Sequence, residues 1–251
     1  MHHPELFTPD NDGISKLQGN ASVASNEMIG SRYIYRFFRA LGIKVERYRD
    51  PMVELKALVG PDVSRVIDGG AYRGTVSQEF LEMFPNAEVH AFEPQADLFE
   101  NLTRLSSAEP RWTVHNRALS NYEGEAVFHV PEAAFTASLL TPGEDFGAAK
   151  DVSVTVTTLD QWESEHGPVD VLKLDLQGAE LNALKGAENL LKSVRAILCE
   201  VNFVSRYEDC ALFHEIAAFL AQHGFLLHRL YDIRSLPNGA LEMADAIFLK
   251  K

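Results

Sequence analysis

From Val63 onward the chain alternates short β-branched runs with amphipathic stretches. SRVID (64–68) predicts a buried strand, and TVSQEFLEMF (75–84) sets Val76, Phe80 and Phe84 four apart, the stripe of a helix. AEVHAFEP predicts a second strand, ADLFENLTRL a helix with Leu98, Leu102 and Leu105 on one face, and WTVHNRAL a third strand. EAVFHV and VSVTVTTL are strand-like runs on either side of a Gly, Pro and Ala-rich loop, 131–150. VDVLKLD (169–175) reads as a fourth core strand followed by the helix AELNALKGAENLL, and RAILCEVNF (195–203) as a fifth. The helix ALFHEIAAFLAQHG runs to Gly224 as its C-cap. FLLHRLYDI and ALEMADAIFLK flank the turn Pro237-Asn238-Gly239, which predicts an antiparallel hairpin at one sheet edge. Such alternation argues for an α/β fold: a mostly parallel sheet with helices on both faces.

A length of 251 residues allows one large α/β domain or two small ones, and the 46% hydrophobic and 24% charged fractions exclude disordered, fibrous and collagen-like classes. No apolar run approaches the roughly 18 residues of a membrane span. The first thirty residues lack a basic start followed by an apolar block, and the two cysteines, Cys199 and Cys210, neither staple the chain nor suffice for a structural zinc site. These features lead to the expectation of a cytoplasmic protein. The net charge of −13, from 36 acidic and 23 basic side chains, disfavours a nucleic-acid partner. Residues 31–50 depart from that balance, with six basic and two acidic side chains among Tyr33, Tyr35, Phe37, Phe38 and Tyr48. The expected organisation is therefore an N-terminal arm and helical extension over 1–60, a lid or packing element, and a cofactor-binding domain over 61–251. The extension is also the candidate contact for a homo-oligomer.

The most informative stretch is VIDGGAYRG (66–74), a strand running into a glycine-rich turn and then a helix. In open α/β sheets the crevice at the carboxyl ends of the strands is where ligands sit. The dinucleotide fingerprint G-x-G-x-x-G is not met, because Ala71 takes its third position and Asp68 precedes the glycines. A carboxylate there repels a pyrophosphate and suits a ligand with cationic groups, such as the ammonium and sulfonium of S-adenosylmethionine. Glu93, about twenty residues past the glycines at the end of the second strand, suits the hydroxyls of a ribose. NAD and S-adenosylmethionine both carry that ribose, so Glu93 does not choose between them.

VIDGGAYRG, VHAFEP, VHNRALS, VDVLKLDLQGAELNALKGAENLL and ILCEVNF resemble, in order and spacing, the FkbM-type family of class I S-adenosylmethionine-dependent methyltransferases, over about residues 60–250. The Lys-x-Asp-x-x-Gly-x-Glu element is the most specific part. The resemblance implies a Rossmann-like, seven-stranded sheet of order 3-2-1-4-5-7-6 with its last strand antiparallel, and O-methylation of a hydroxyl on a sugar, polyketide or related natural product. It also implies a cofactor site of Asp68, Gly69, Gly70, Ala71 and Gly74 around the methionine moiety, Glu93 on the ribose, Asn116, Arg117 and Ala118 near the adenine, and Asp175 where donor and acceptor meet. Many relatives read Asp-x-Glu-Gly-x-Glu. Gln177 stands at the middle position here, which weighs against a role needing a carboxylate.

An alcohol acceptor must lose a proton as its oxygen attacks, and a positioned base contributes about 10²–10⁴-fold. The candidates are Asp175, Glu180, Glu200 and His115. Lys173 shares a strand face with Asp175 and is a candidate partner for a buried carboxylate. Asp175, Glu180 and Glu200 offer oxygen ligands for magnesium, but no tight ligand spacing is present and Gln177 weakens the case, so no metal site is assigned. Ser138, in the loop before the 152–158 strand, and Tyr72 are the candidates for the acceptor pocket, with Trp162 and Phe203 as further walls. Two alternatives stay open: a NAD(P)-dependent oxidoreductase, and a methyltransferase-like domain that binds without catalysing. Against the first stand Asp68, Ala71 and the lack of a Tyr-x-x-x-Lys pair.

Overall fold

The computed structural model describes residues 49–251, so most of the basic, aromatic segment 31–50 and the whole of the preceding arm lie outside the described residues. The compact unit runs from Arg49 to Lys251. Its first helix, α1 (Pro51–Val59), starts where Asp50 accepts hydrogen bonds from the Met52 and Val53 amides and Pro51 presets the first turn. Met52, Leu55 and Val59 of this helix are buried against the second core described below.

The remaining order is β1 (Arg65–Gly69), α2 (Thr75–Met83), β2 (Glu88–Phe92), α3 (Ala96–Ser106), β3 (Trp112–His115), β4 (Ala118–Leu119), β5 (Gly124–Pro131), β6 (Ala149–Thr157), α4 (Leu159–His166), β7 (Val171–Leu174), α5 (Glu180–Lys185), β8 (Ala196–Asn202), α6 (Phe213–Gln222), β9 (Phe225–Ser235) and β10 (Leu241–Lys250). Seven strands form the main sheet in the order β3-β2-β1-β7-β8-β10-β9. All neighbours through β8 pair parallel, and β10 is antiparallel to both β8 and β9. This is the class I methyltransferase arrangement, with the expected C-terminal hairpin.

Alternation along each central strand feeds two cores. Ile67, Leu172, Leu174, Ile197 and Cys199 pack under α4, α5 and α6. Val66, Val171, Ala196 and Leu198 pack under α1, α2 and α3. Both faces are therefore apolar, which is why these strands read as continuous hydrophobic runs.

Three local expectations change. WTVHNRAL is not one strand: β3 ends at His115, and β4 leaves the main sheet to join β5 and β6 in a separate three-stranded sheet of order β4-β6-β5. Asn116 Nδ2 secures the departure by donating to the Glu93 and Pro94 carbonyls, each at 3.0 Å. The helix expected over 179–191 stops at Lys185 and is followed by a separate 3-10 turn, Leu190–Lys192; Gly186, which caps it, lies against Ser120 so closely that a Cβ would stand 2.1 Å from its carbonyl oxygen. On α3 only Leu102 of the apolar stripe is fully buried, and Leu105 is exposed. No helix among the described residues is long and apolar enough to cross a membrane.

Candidate functional site

Register builds the site. Phe92, Gly69, Leu174 and Cys199 are successive partners across β2, β1, β7 and β8. The residues that follow them, Glu93, Gly70, Asp175 and Glu200, therefore stand side by side at the carboxyl edge of the sheet, and β10 adds Asp245 opposite Glu200. A cavity of about 510 Å³ opens over this row, within the ~300–1,000 Å³ usual for small-molecule sites. Its wall includes Phe128, Ala134 and Leu139 from the second sheet and its loop, so that sheet roofs the crevice.

Gly70 and Glu93 shape one end. Gly70 has φ +75°, and a Cβ there would lie 2.0 Å from the Asp175 carbonyl oxygen, so only glycine lets the turn pass the end of β7. Glu93 is almost wholly buried, with its Oε2 accepting from the Tyr72 amide and its Oε1 from the Gln95 amide, both at 2.9 Å. Burial pushes its carboxyl up to about 7, against the pull of those two amides. Each oxygen keeps a free lone pair for a hydroxyl donor. Arg117, Ala118 and Leu119 continue this wall.

Asp175, Gln177 and Glu200 form the middle. Gln177 Nε2 donates to Asp175 Oδ1 at 2.8 Å and lies 3.4 Å from both Glu200 oxygens. Its Oε1 accepts from the Tyr207 hydroxyl at 3.0 Å. Gln177 (φ +53°) and Tyr72 (φ +50°), both cavity residues, hold left-handed backbone conformations that non-glycine residues rarely adopt. Burial, then the neighbouring Asp175, Glu180 and Asp245, hold the Glu200 carboxyl well above the usual carboxylate range.

Other sequence-selected residues support the site from outside the cavity wall. Asp68 is fully buried, accepts a hydrogen bond from Ser77 Oγ at 2.5 Å and is ion-paired with Lys173 Nζ at 3.0 Å. Its charge is thus matched inside the protein, and the repulsion of a pyrophosphate expected of it falls instead to Asp175 on the cavity wall. Gly69 and Ala71 are packing positions, and Gly74 begins α2 against Leu102 and Trp112. Asn116 is engaged with backbone carbonyls as described above. Glu180 is sealed beneath the 176–178 turn, where its Oε1 accepts from the Leu176 and Gly178 amides, and burial pushes it up to about 7. Ser138 is likewise buried, donating to the Gln177 carbonyl at 2.9 Å and tying the roof to that turn.

His115 lies away from the cavity. Its ring stacks on Phe92, 4.6 Å between centroids, in a cluster with His90, Trp162 and His166, and burial lowers it to about 4. Trp162 and Phe203 belong to the core instead of the cavity wall. Among the described residues no group of three or more His, Cys, Asp or Glu is arranged to hold a metal ion. Sequence reasoning missed Gln95, Phe128, Arg206, Arg234 and Met243, all on the cavity wall. Phe128, Arg206, Arg234 and Met243 come from the second sheet, the loop after β8 and the terminal hairpin, which carry no motif, whereas Gln95 directly follows the VHAFEP run and was within its reach.

Residues 68–227 match the Methyltransferase FkbM domain family. Over 158 residues the chain is 25% identical to the 2-O-methyltransferase NoeI of Sinorhizobium fredii, covering 57% of this chain and 65% of that protein. Over 121 residues it is 32% identical to the hexuronic acid methyltransferase AglP of Haloferax volcanii, covering 46% and 48%. The methyltransferase sdnD of Sordaria araneosa is 26% identical over 197 residues, 65% of this chain and 74% of that protein. The chain thus spans between about half and two thirds of the length of NoeI and AglP.

Proposed function

The chain belongs to the methyltransferase FkbM family, and from that premise we propose that it is an S-adenosylmethionine-dependent methyltransferase acting on a hydroxyl oxygen of a sugar or related small molecule. One observation carries the proposal: strand register gathers Glu93, Gly70, Asp175 and Glu200 along a single cavity edge. The names of NoeI and AglP, a 2-O-methyltransferase and a hexuronic acid methyltransferase, support the sugar acceptor.

The cavity chemistry fits the cofactor. Glu93 has acceptor lone pairs for both ribose hydroxyls, already held in place by two backbone donors. Ala118 and Leu119 offer an apolar wall for a purine, and the exposed backbone at Gly70 admits the amino-acid end. The acidic middle favours a cationic ligand over a pyrophosphate, which supports S-adenosylmethionine over NAD. When bound, S-adenosylmethionine supplies an electrophilic methyl group on a positively charged sulfur.

The protein's part is alignment, exclusion of water and removal of a proton. Asp175 is the base in this reading: it lines the cavity, and Gln177 Nε2 at 2.8 Å fixes its carboxylate in one orientation. Glu200 lies beside it on the same cavity edge, where Gln177 Nε2 is 3.4 Å from both its oxygens. The roof of Phe128, Ala134 and Leu139 shields the crevice from bulk water, and alignment in such a site supplies much of the acceleration. Calorimetric titration with S-adenosylhomocysteine, NAD and NADP tests the proposal. Binding of S-adenosylhomocysteine alone is expected, whereas tight NAD binding without it rejects the reading in favour of an oxidoreductase.

A further inference from the structure

We propose that Arg206 and Arg234 form a clamp for an anionic group on the acceptor, so that the substrate is an acidic sugar, carrying a carboxylate or a phosphate ester, instead of a neutral one. The proposal rests on the methyl-transfer reading above for the identity of the reaction, and on the following geometry for the anion.

The two arginines come from separate elements, Arg206 from the loop after β8 and Arg234 from β9, yet both line the cavity. Both also reach the same atom. Arg206 Nη1 is 3.4 Å from Met243 Sδ, and Arg234 Nη1 is 3.7 Å from it. Two guanidiniums are thereby held against one neutral sulfur, an arrangement in which their charges repel. Each presents up to five donors in a planar fork, and a thioether uses few of them. The only carboxylate within ion-pair distance of either one, among the described residues, is Glu242, at 3.7 Å from Arg206 Nε. No ion pair to Arg234 is present among the described residues. Acidic neighbours act on the pair only at longer range, Glu200 on Arg206 and Asp245 on Arg234, so among the described residues both forks still lack a close bidentate partner. An anion lying across both forks supplies it, because bidentate guanidinium contacts to carboxylate or phosphate are among the strongest hydrogen bonds available.

The clamp is braced. The Arg206 guanidinium sits 4.9 Å over the ring of Phe146, which stacks at 4.9 Å on Tyr207, whose hydroxyl reaches Gln177. Arg206 is therefore linked through packed rings to the residue that orients Asp175. The cavity has an acidic middle at Asp175 and Glu200 and a basic pair at Arg206 and Arg234, and this polarity orients a substrate. Its anion is held at the arginines while a hydroxyl is directed toward Asp175.

The test is calorimetry on the full chain saturated with S-adenosylhomocysteine, titrated with glucuronate, glucose 6-phosphate, inorganic phosphate and glucose. Glucuronate or glucose 6-phosphate is expected to bind and glucose is not; which of the two binds tells carboxylate from phosphate ester, with inorganic phosphate reporting the anion alone. Arg234→Gln, an exposed position where folding is not at stake, and Arg206→Gln should each weaken that binding roughly 10- to 100-fold, with S-adenosylhomocysteine affinity unchanged. Glucose binding as well as the anions, or anion binding indifferent to both substitutions, overturns the clamp. If S-adenosylhomocysteine itself fails to bind while Arg-dependent anion binding persists, the clamp stands and the methyl-transfer reading falls.

Discussion

Lys173 Nζ lies 3.0 Å from Asp68 Oδ1 in the interior, the two residues being direct partners in register on β7 and β1. The same ammonium donates to the Gly69 and Gly70 carbonyls at 3.2 and 2.9 Å. One buried cation thus holds both the carboxylate before the glycine turn and the turn itself. Lys173→Met leaves Asp68 charged and unpaired, and should cost about 3–5 kcal/mol in urea denaturation. Adding Asp68→Asn should recover much of that loss; a double variant as unstable as the sum of the two singles would show that the pair is not coupled.

Because burial holds Glu93 near 7 and its ionised form is the stronger acceptor for two ribose hydroxyls, S-adenosylhomocysteine affinity should rise with pH through about 7 and then level off. Binding near pH 6.5 should release a proton, read by calorimetry in buffers of differing ionisation enthalpy. Glu93→Gln should lose the proton release, and Glu93→Ala should weaken binding on the order of 100-fold.

The ligand-free protein should behave in the opposite sense. Glu93 and Glu180 are raised to about 7 and Asp245 to about 6, each chiefly by burial. A carboxyl raised in the folded state binds its proton more tightly there than in the unfolded chain. Its stabilising contribution is full below the ordinary carboxylate range and is lost as pH rises through the folded value. Thermal melts should therefore fall from about pH 5 to about pH 8, and the Glu93→Gln and Glu180→Gln variants should flatten that slope.

Asp175→Asn should lower kcat by about 10²–10⁴ with little change in KM, followed as S-adenosylhomocysteine formation. Glu200→Gln should cost less, since burial already disfavours a charge on that carboxyl and the amide keeps its shape and an acceptor oxygen. His115→Asn should leave the pH–rate profile unmoved, because that ring faces Phe92 and not the cavity.

Gly70→Ala forces a Cβ to 2.0 Å from the Asp175 carbonyl at a φ of +75°. A loss of at least about 2 kcal/mol and of measurable S-adenosylhomocysteine binding is expected. A variant that melts and binds like the parent protein would mean that the turn does not hold this conformation in solution.

Much of the fold was legible because both faces of the central strands are buried, so their apolar runs stand out against amphipathic helices and turn residues. Glu93 and Asp175 were legible because they end predicted strands beside a recognisable glycine turn. The break after His115 was not, since a strand that changes sheets keeps the composition of one that does not. Nor was the burial of Ser138 and Glu180, whose polar side chains satisfy backbone groups of a turn distant from one and adjacent to the other.

By itself the amino-acid sequence determined the sheet's strands, its closing hairpin and the residues at the strand ends, because periodicity and turn chemistry act over a few neighbouring residues. Only the tertiary structure decided that Asp68 is answered by Lys173, that His115 lies outside the cavity and that Arg206 and Arg234 meet at Met243. Those relations depend on register between strands and on how loops close over the sheet edge. A side chain's partner across such a gap is fixed by packing of the whole domain, which local pattern does not encode.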